Sequence, residues 1–156
     1  MKLRKTLLII LALVLFSSLS GCGNKKQVVE SSNKKVEVAI DSKITEYSPL
    51  MSSIPGIPLT ANYKSKIKQD NIKFHWITEE GTFLVWNKKS GKTRILGNDI
   101  KINNEKIYWA INSNEKLKKI PFKIYLKIEN EHSSKVICES SIQIEQNKKN
   151  WFTIKK

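Results

Sequence analysis

Hydrophobic positions along this 156-residue chain follow two different patterns. The first is a continuous apolar run, Leu7 to Phe16, preceded by Lys2, Arg4 and Lys5 and closed by Ser17-Ser18. The second begins beyond residue 43 and alternates apolar with polar positions, the repeat of a strand with one buried face. Segments carrying it are Ile57–Tyr63, Asn71–Thr78, Thr82–Asn87, Lys92–Leu96, Lys106–Ala110, Pro121–Glu129, Lys135–Glu145 and Trp151–Ile154. They recur at roughly ten-residue spacing, as in a sandwich or barrel. Turn residues fall between them, at Glu79-Glu80-Gly81, Lys89-Ser90-Gly91, Gly97-Asn98-Asp99, Asn112-Ser113-Asn114 and Glu131-His132-Ser133-Ser134. No long stretch has helical periodicity.

The alternation also assigns faces. In Phe122–Ile128, Phe122, Ile124, Leu126 and Ile128 point to a core while Lys123, Tyr125 and Lys127 point to water. The next strand places Val136, Cys138, Ser140, Ile142 and Ile144 inward, and Lys135, Glu139, Ser141, Gln143 and Glu145 outward. Ile72, Phe74 and Trp76 share one face. Residues 23–43 are polar and Lys/Asn/Ser-rich, which predicts a flexible tether, because such a stretch buries too little apolar surface to offset its ordering entropy. Within it, Val36-Glu37-Val38-Ala39-Ile40 alternates and offers an edge strand as the alternative. The predicted organisation is a leader over 1–21, a tether over 22–43 and an all-β domain of seven to nine strands over 44–156.

The apolar run is too short for a spanning helix, which needs about 20 residues. A basic start, an apolar core and small residues ahead of a cleavage point are the parts of a secretory signal peptide. Leu19-Ser20-Gly21-Cys22 resembles the lipobox of bacterial lipoproteins. That resemblance implies cleavage before Cys22, a diacylglyceryl group on its sulfur, and a mature protein anchored to the extracytoplasmic face of the cell membrane. Acyl chains hold a protein by about 0.8 kcal/mol per buried CH₂, so two chains make release slow.

Charge narrows the partners. The chain has 28 Lys+Arg against 14 Asp+Glu, a net +14, and removal of 1–21 takes away three bases and no acids, leaving +11. Lysine-rich surfaces neutralise phosphates, but export removes nucleic acid as a partner. Anionic lipid headgroups, an anionic wall polymer or a membrane protein remain, beside the plain alternative of solubility.

Candidate chemistry is sparse. With Cys22 lipidated, Cys138 is the one remaining thiol and no intramolecular disulfide is possible. Its inward position makes it a small apolar filler. His132 falls in a turn, and His75 lies between Phe74 and Trp76 and faces away from the core, the best available residue for a hydrolase hidden in the fold. No His-Glu-x-x-His, Cys-x-x-Cys or phosphate-binding glycine pattern occurs, so no metal or other cofactor is expected. Trp86 and Trp109 end predicted strands near loops. With Lys88, Lys89 and Arg94 they form the candidate binding surface, where an aromatic ring beside bases could stack on a sugar or anchor an interface.

Strand count, spacing and Trp76 resemble the immunoglobulin-like and fibronectin-like sandwiches, whose third strand carries a core tryptophan. The paired cysteines of antibody domains are missing. Met51–Ile57, Phe74-His75-Trp76, Gly81–Leu84 and Ile107-Tyr108-Trp109 are similar to extracytoplasmic domains of clostridial antibiotic-responsive membrane sensors. The expected function is therefore a non-catalytic binding module at the cell envelope, with a sensory accessory domain for a small molecule or peptide, such as an antibiotic, as the alternative.

Overall fold

A computed structural model describes residues 36–64, 71–104, 106–112 and 115–155. The described residues belong to one compact unit. Leu19, Ser20, Gly21, Cys22 and the first part of the expected tether lie outside them.

The fold is an antiparallel β-sandwich. Its strands are β1 (Glu37–Asp41), β2 (Glu46–Tyr47), β3 (Ile57–Lys64), β4 (Ile72–Thr78), β5 (Thr82–Trp86), β6 (Thr93–Gly97), β7 (Asp99–Ile102), β8 (Lys106–Ala110), β9 (Phe122–Asn130), β10 (Val136–Gln146) and β11 (Phe152–Lys155). One sheet has the order β1-β3-β8-β5-β6 and the other β2-β11-β10-β9-β4-β7. All eight strands read from the alternation are present. The additional three lie at sheet edges: β1 is the edge strand that the alternation of Val36–Ile40 offered as the alternative to tether, and β2 and β7 are too short to be marked in a sequence.

Two of these change the predicted boundaries. Strand β1 pairs with β3 from Glu37–Lys64 to Asp41–Thr60, so the folded domain reaches back into the stretch expected as tether. Ile40, buried in the core, supplies the apolar contact that holds this edge. Strand β7 follows β6 after the single residue Asn98, with Gly97 at φ 113°, and the chain changes sheets there instead of making a hairpin. Glycine adopts that backbone without the Cβ penalty.

The inner faces match the alternation in β9, where Phe122, Ile124, Leu126 and Ile128 are buried. In β10 the match breaks at one place. A bulge between Val136 and Cys138 shifts the register, so Val136 sits opposite Glu129 on the outer face and is 42% exposed. Ile137 packs against the core in its stead. Cys138 is half-buried and reduced, and burial pushes its thiol up from the usual value.

Trp76 and Trp109 are both fully buried. Trp76 tilts against Phe83 of the opposite sheet, with ring centroids 6.2 Å apart. Trp109, expected near a loop and partly exposed, instead points inward. It stands between Phe122 and Phe152, each with ring centroids 5.3 Å away, and meets the edge of Tyr47. Alternation along β8 explains this, because Ile107, Trp109 and Ile111 form its inner face and Tyr108 the outer.

Two glycines make room for Trp109. A Cβ on Gly56 would stand 2.3 Å from the Trp109 carbonyl oxygen, and one on Gly81 would stand 2.6 Å from the Ala110 oxygen. Gly81 also has a φ of 72°. Replacing Gly56 with Ala therefore forces backbone apart, and destabilisation by about 1–3 kcal/mol is expected in denaturant unfolding. The tryptophans differ in one respect. Trp109 Nε1 donates to the Glu80 carbonyl at 2.8 Å, whereas Trp76 Nε1 is buried with no partner. Trp109→Phe loses a satisfied hydrogen bond and Trp76→Phe removes an unsatisfied donor, so the first should cost about 2 kcal/mol more than the second.

Candidate functional site

The outer faces of the two sheets are built differently. On the six-stranded sheet, β4, β7 and β9 bring His75, Asp99, Lys101 and Glu129 together. His75 Nδ1 lies 2.6 Å from Glu129 Oε1 and Nε2 lies 2.7 Å from Asp99 Oδ1. Lys101 Nζ donates to Glu129 Oε2 at 2.6 Å. Both ring nitrogens of His75 thus face carboxylate oxygens. His75 does face away from the core, but both of its nitrogens are engaged and neither is offered to a substrate in this arrangement.

Further ion pairs continue across the same sheet and its loops. They join Lys73 to Glu131, Lys119 to Glu79 and Lys155 to Glu145. Glu79 also accepts from the Lys123 backbone N–H at 2.9 Å, which together with Lys119 and the Tyr125 hydroxyl holds its carboxyl below the usual range despite desolvation. His132 is exposed in the β9–β10 turn, where Asn130 Oδ1 accepts its backbone N–H at 3.0 Å. Among the described residues no group of three or more His, Cys, Asp or Glu converges to hold a metal ion.

The five-stranded sheet carries aromatic and apolar groups outward. Strand register aligns Pro58, Tyr108, Leu84 and Ile95 in one row across β3, β8, β5 and β6. Leu84, Tyr108 and Ala110 form a small buried cluster there, with Trp86 packed on it. Trp86 meets Tyr108 edge to face at 5.8 Å, and Lys88 Nζ lies 5.5 Å above the Trp86 ring. Beside them is a cavity of about 160 Å³ lined by Trp86, Tyr108, Lys43, Lys88, Lys106 and Ile54, with Ile44, Pro58 and Thr60 completing its wall. A more open groove of about 500 Å³ adjoins it, sharing Trp86 and Ile54 and adding Ser52, Ser53 and Thr93.

The sequence-derived surface is thus only partly brought together. Trp86 and Lys88 line the cavity, and Lys89 lies in the adjoining exposed turn, where Asn87 Oδ1 accepts its backbone N–H. Arg94 pairs with Val85 and so projects to the opposite face of the sheet from Trp86. Trp109 is in the core and contributes nothing to the surface. Sequence reasoning missed Lys43, Lys106 and Tyr108. The signal for Tyr108 was available, since a residue between two inward positions of a strand must face outward. Lys43 and Lys106 had none, because they approach Trp86 only through the pairing of β3 with β8 and the path of the chain after β1.

No protein-family model, no curated protein and no solved structure matches this chain.

Acid should weaken the outer cluster of the six-stranded sheet. Burial pushes the Glu129 carboxyl up, but hydrogen bonds from Lys101 and His75 outweigh it and hold the group below its ordinary 4.5. A depressed carboxylate stabilises the fold above its unfolded value, and this stabilisation is lost as pH falls through the folded one. Glu129→Gln should therefore cost about 1–2 kcal/mol near neutral pH and flatten the loss of stability below pH 4.5, measured by urea unfolding across pH.

Proposed function

We propose that this chain is a lipid-anchored binding module on the extracytoplasmic face of the cell membrane, acting without catalysis of its own. The observation that carries the binding part is the recess beside Trp86, where an aromatic surface and three lysines from separate segments meet and, among the described residues, no lining side chain is acidic. Such a constellation recognises by stacking and charge. The lipobox-like Leu19-Ser20-Gly21-Cys22 supports the anchoring part.

The two parts work together through concentration. Acylation at Cys22 confines the domain to the membrane surface, so a weak contact at Trp86 acts at a high effective concentration of envelope ligand. A polymer presenting many copies of one group gains from this most, because each released contact is remade nearby. The partner class is an anionic envelope polymer, and its charge matches the +11 expected after leader removal.

Cys22→Ser should abolish incorporation of labelled fatty acid and move the protein from the membrane to the soluble fraction. In the unacylated Cys22→Ser background, where lipid no longer holds the protein, Trp86→Ala should lower retention on isolated cell envelope. Retention indifferent to Trp86 would contradict the binding surface, and membrane fractionation of Cys22→Ser would contradict the anchor.

A further inference from the structure

We infer that the cavity beside Trp86 binds the phosphate of a phosphodiester-linked sugar or polyol chain, whose next unit lies in the adjoining groove. This rests on the binding-module reading and adds the ligand class.

Volume sets the first limit. At about 160 Å³ the cavity holds about five waters at ~30 Å³ each, well below the ~300–1,000 Å³ of pockets that enclose drug-sized ligands. It accommodates a small charged group. The neighbouring groove, about 500 Å³ and sharing Trp86 and Ile54 with it, is open enough to take the next unit of a chain. Ser52, Ser53 and Thr93 offer hydroxyls along that path, suited to a polyhydroxylated unit.

Charge sets the second limit. Lys73, Lys101, Lys119 and Lys155 meet carboxylates, whereas among the described residues none of Lys43, Lys88 and Lys106 forms an ion pair, so each can take an anionic partner without giving one up. Asp41, opposite Thr60 in the register, is itself engaged, its Oδ2 accepting from Asn62 Nδ2 at 3.1 Å. Three cations on one apolar wall repel one another, and an anion between them relieves that repulsion. Phosphate provides several acceptor oxygens for converging ammonium donors.

The third observation concerns Lys88. Its Nζ rests over the Trp86 ring, a cation–π contact worth only about 0.5–1 kcal/mol at an exposed site. An incoming phosphate draws this ammonium away by a stronger charge-assisted bond, which uncovers the indole face for the sugar or polyol. Lys88 thus couples the two subsites. Phosphate capture and stacking on Trp86 occur together, and a neutral chain, which gains no charge-assisted bond from the three lysines, is discriminated against.

The test is calorimetric titration of the full chain in detergent with a short glycerol-phosphate oligomer, with a neutral oligoglycerol of equal length, and with inorganic phosphate. Tryptophan emission is recorded in parallel. The phosphate oligomer should bind and change the emission, and this change should vanish in Trp86→Phe. The neutral oligomer should not bind, and inorganic phosphate should bind more weakly than the oligomer. K43Q/K88Q/K106Q should lose about tenfold in affinity, equivalent to 1.4 kcal/mol, while K116Q/K135Q/K148Q, with the same loss of charge elsewhere, should stay within about twofold. These lysines are all exposed, so both variants keep the fold. Equal losses in the two variants, or equal binding of the neutral oligomer, would overturn the inference. If the oligomer fails to bind while Trp86→Ala still lowers envelope retention, the ligand class is wrong and the binding-module reading stands; if retention ignores Trp86, that reading falls too.

Discussion

The indole of Trp109 joins the two sheets at their most crowded point. Its N–H donates to the Glu80 carbonyl, its ring fills the space between Phe122 and Phe152, and Gly56 and Gly81 let neighbouring backbone approach it. Burying an aromatic of this size is among the larger apolar contributions a domain can make. The domain also has no disulfide to constrain its unfolded chain, since Cys138 is reduced. Close packing around one tryptophan is therefore what positions β8 against β3 and β5. It also fixes the site, because inward Trp109 makes its neighbour Tyr108 face outward, where it supports Trp86.

The two outer surfaces then take separate roles. The six-stranded sheet carries several ion pairs, with Glu129 between His75 and Lys101 as the most buried example. A lysine already paired gives a visiting ligand little to gain, since each new contact replaces an existing one. The five-stranded sheet leaves Lys43, Lys88 and Lys106 around an aromatic recess. Desolvating that recess with a complementary anion relieves repulsion instead of breaking pairs. This clustering of three lysines around an exposed aromatic, more than total net charge, is why the binding reading centres on Trp86.

Much of this was legible in the chain. Period-two alternation located the eight main strands and the inner faces of β4 and β9, because a half-buried strand leaves that pattern directly in its residues. Short edge strands such as β2 and β7 lack enough alternating positions to announce themselves. The bulge that turns Val136 outward depends on pairing with β9 and has no local sign. Trp86 was legible as a strand-end aromatic followed by bases, whereas Trp109 was misplaced because proximity to a loop was weighed above alternation with Ile107. Lys43 and Lys106 join the recess through tertiary register alone, which a linear pattern does not encode.

The account's central claim is that Trp109 is sealed inside the sandwich while Trp86 stands on its surface. Hydrogen exchange of the indole N–H groups, followed residue by residue by NMR, tests this most directly. The Trp109 indole proton should exchange only through global unfolding, at a rate that follows overall stability, and the Trp86 indole proton should exchange far faster. A Trp109 proton that exchanges as quickly as that of Trp86 would contradict the account.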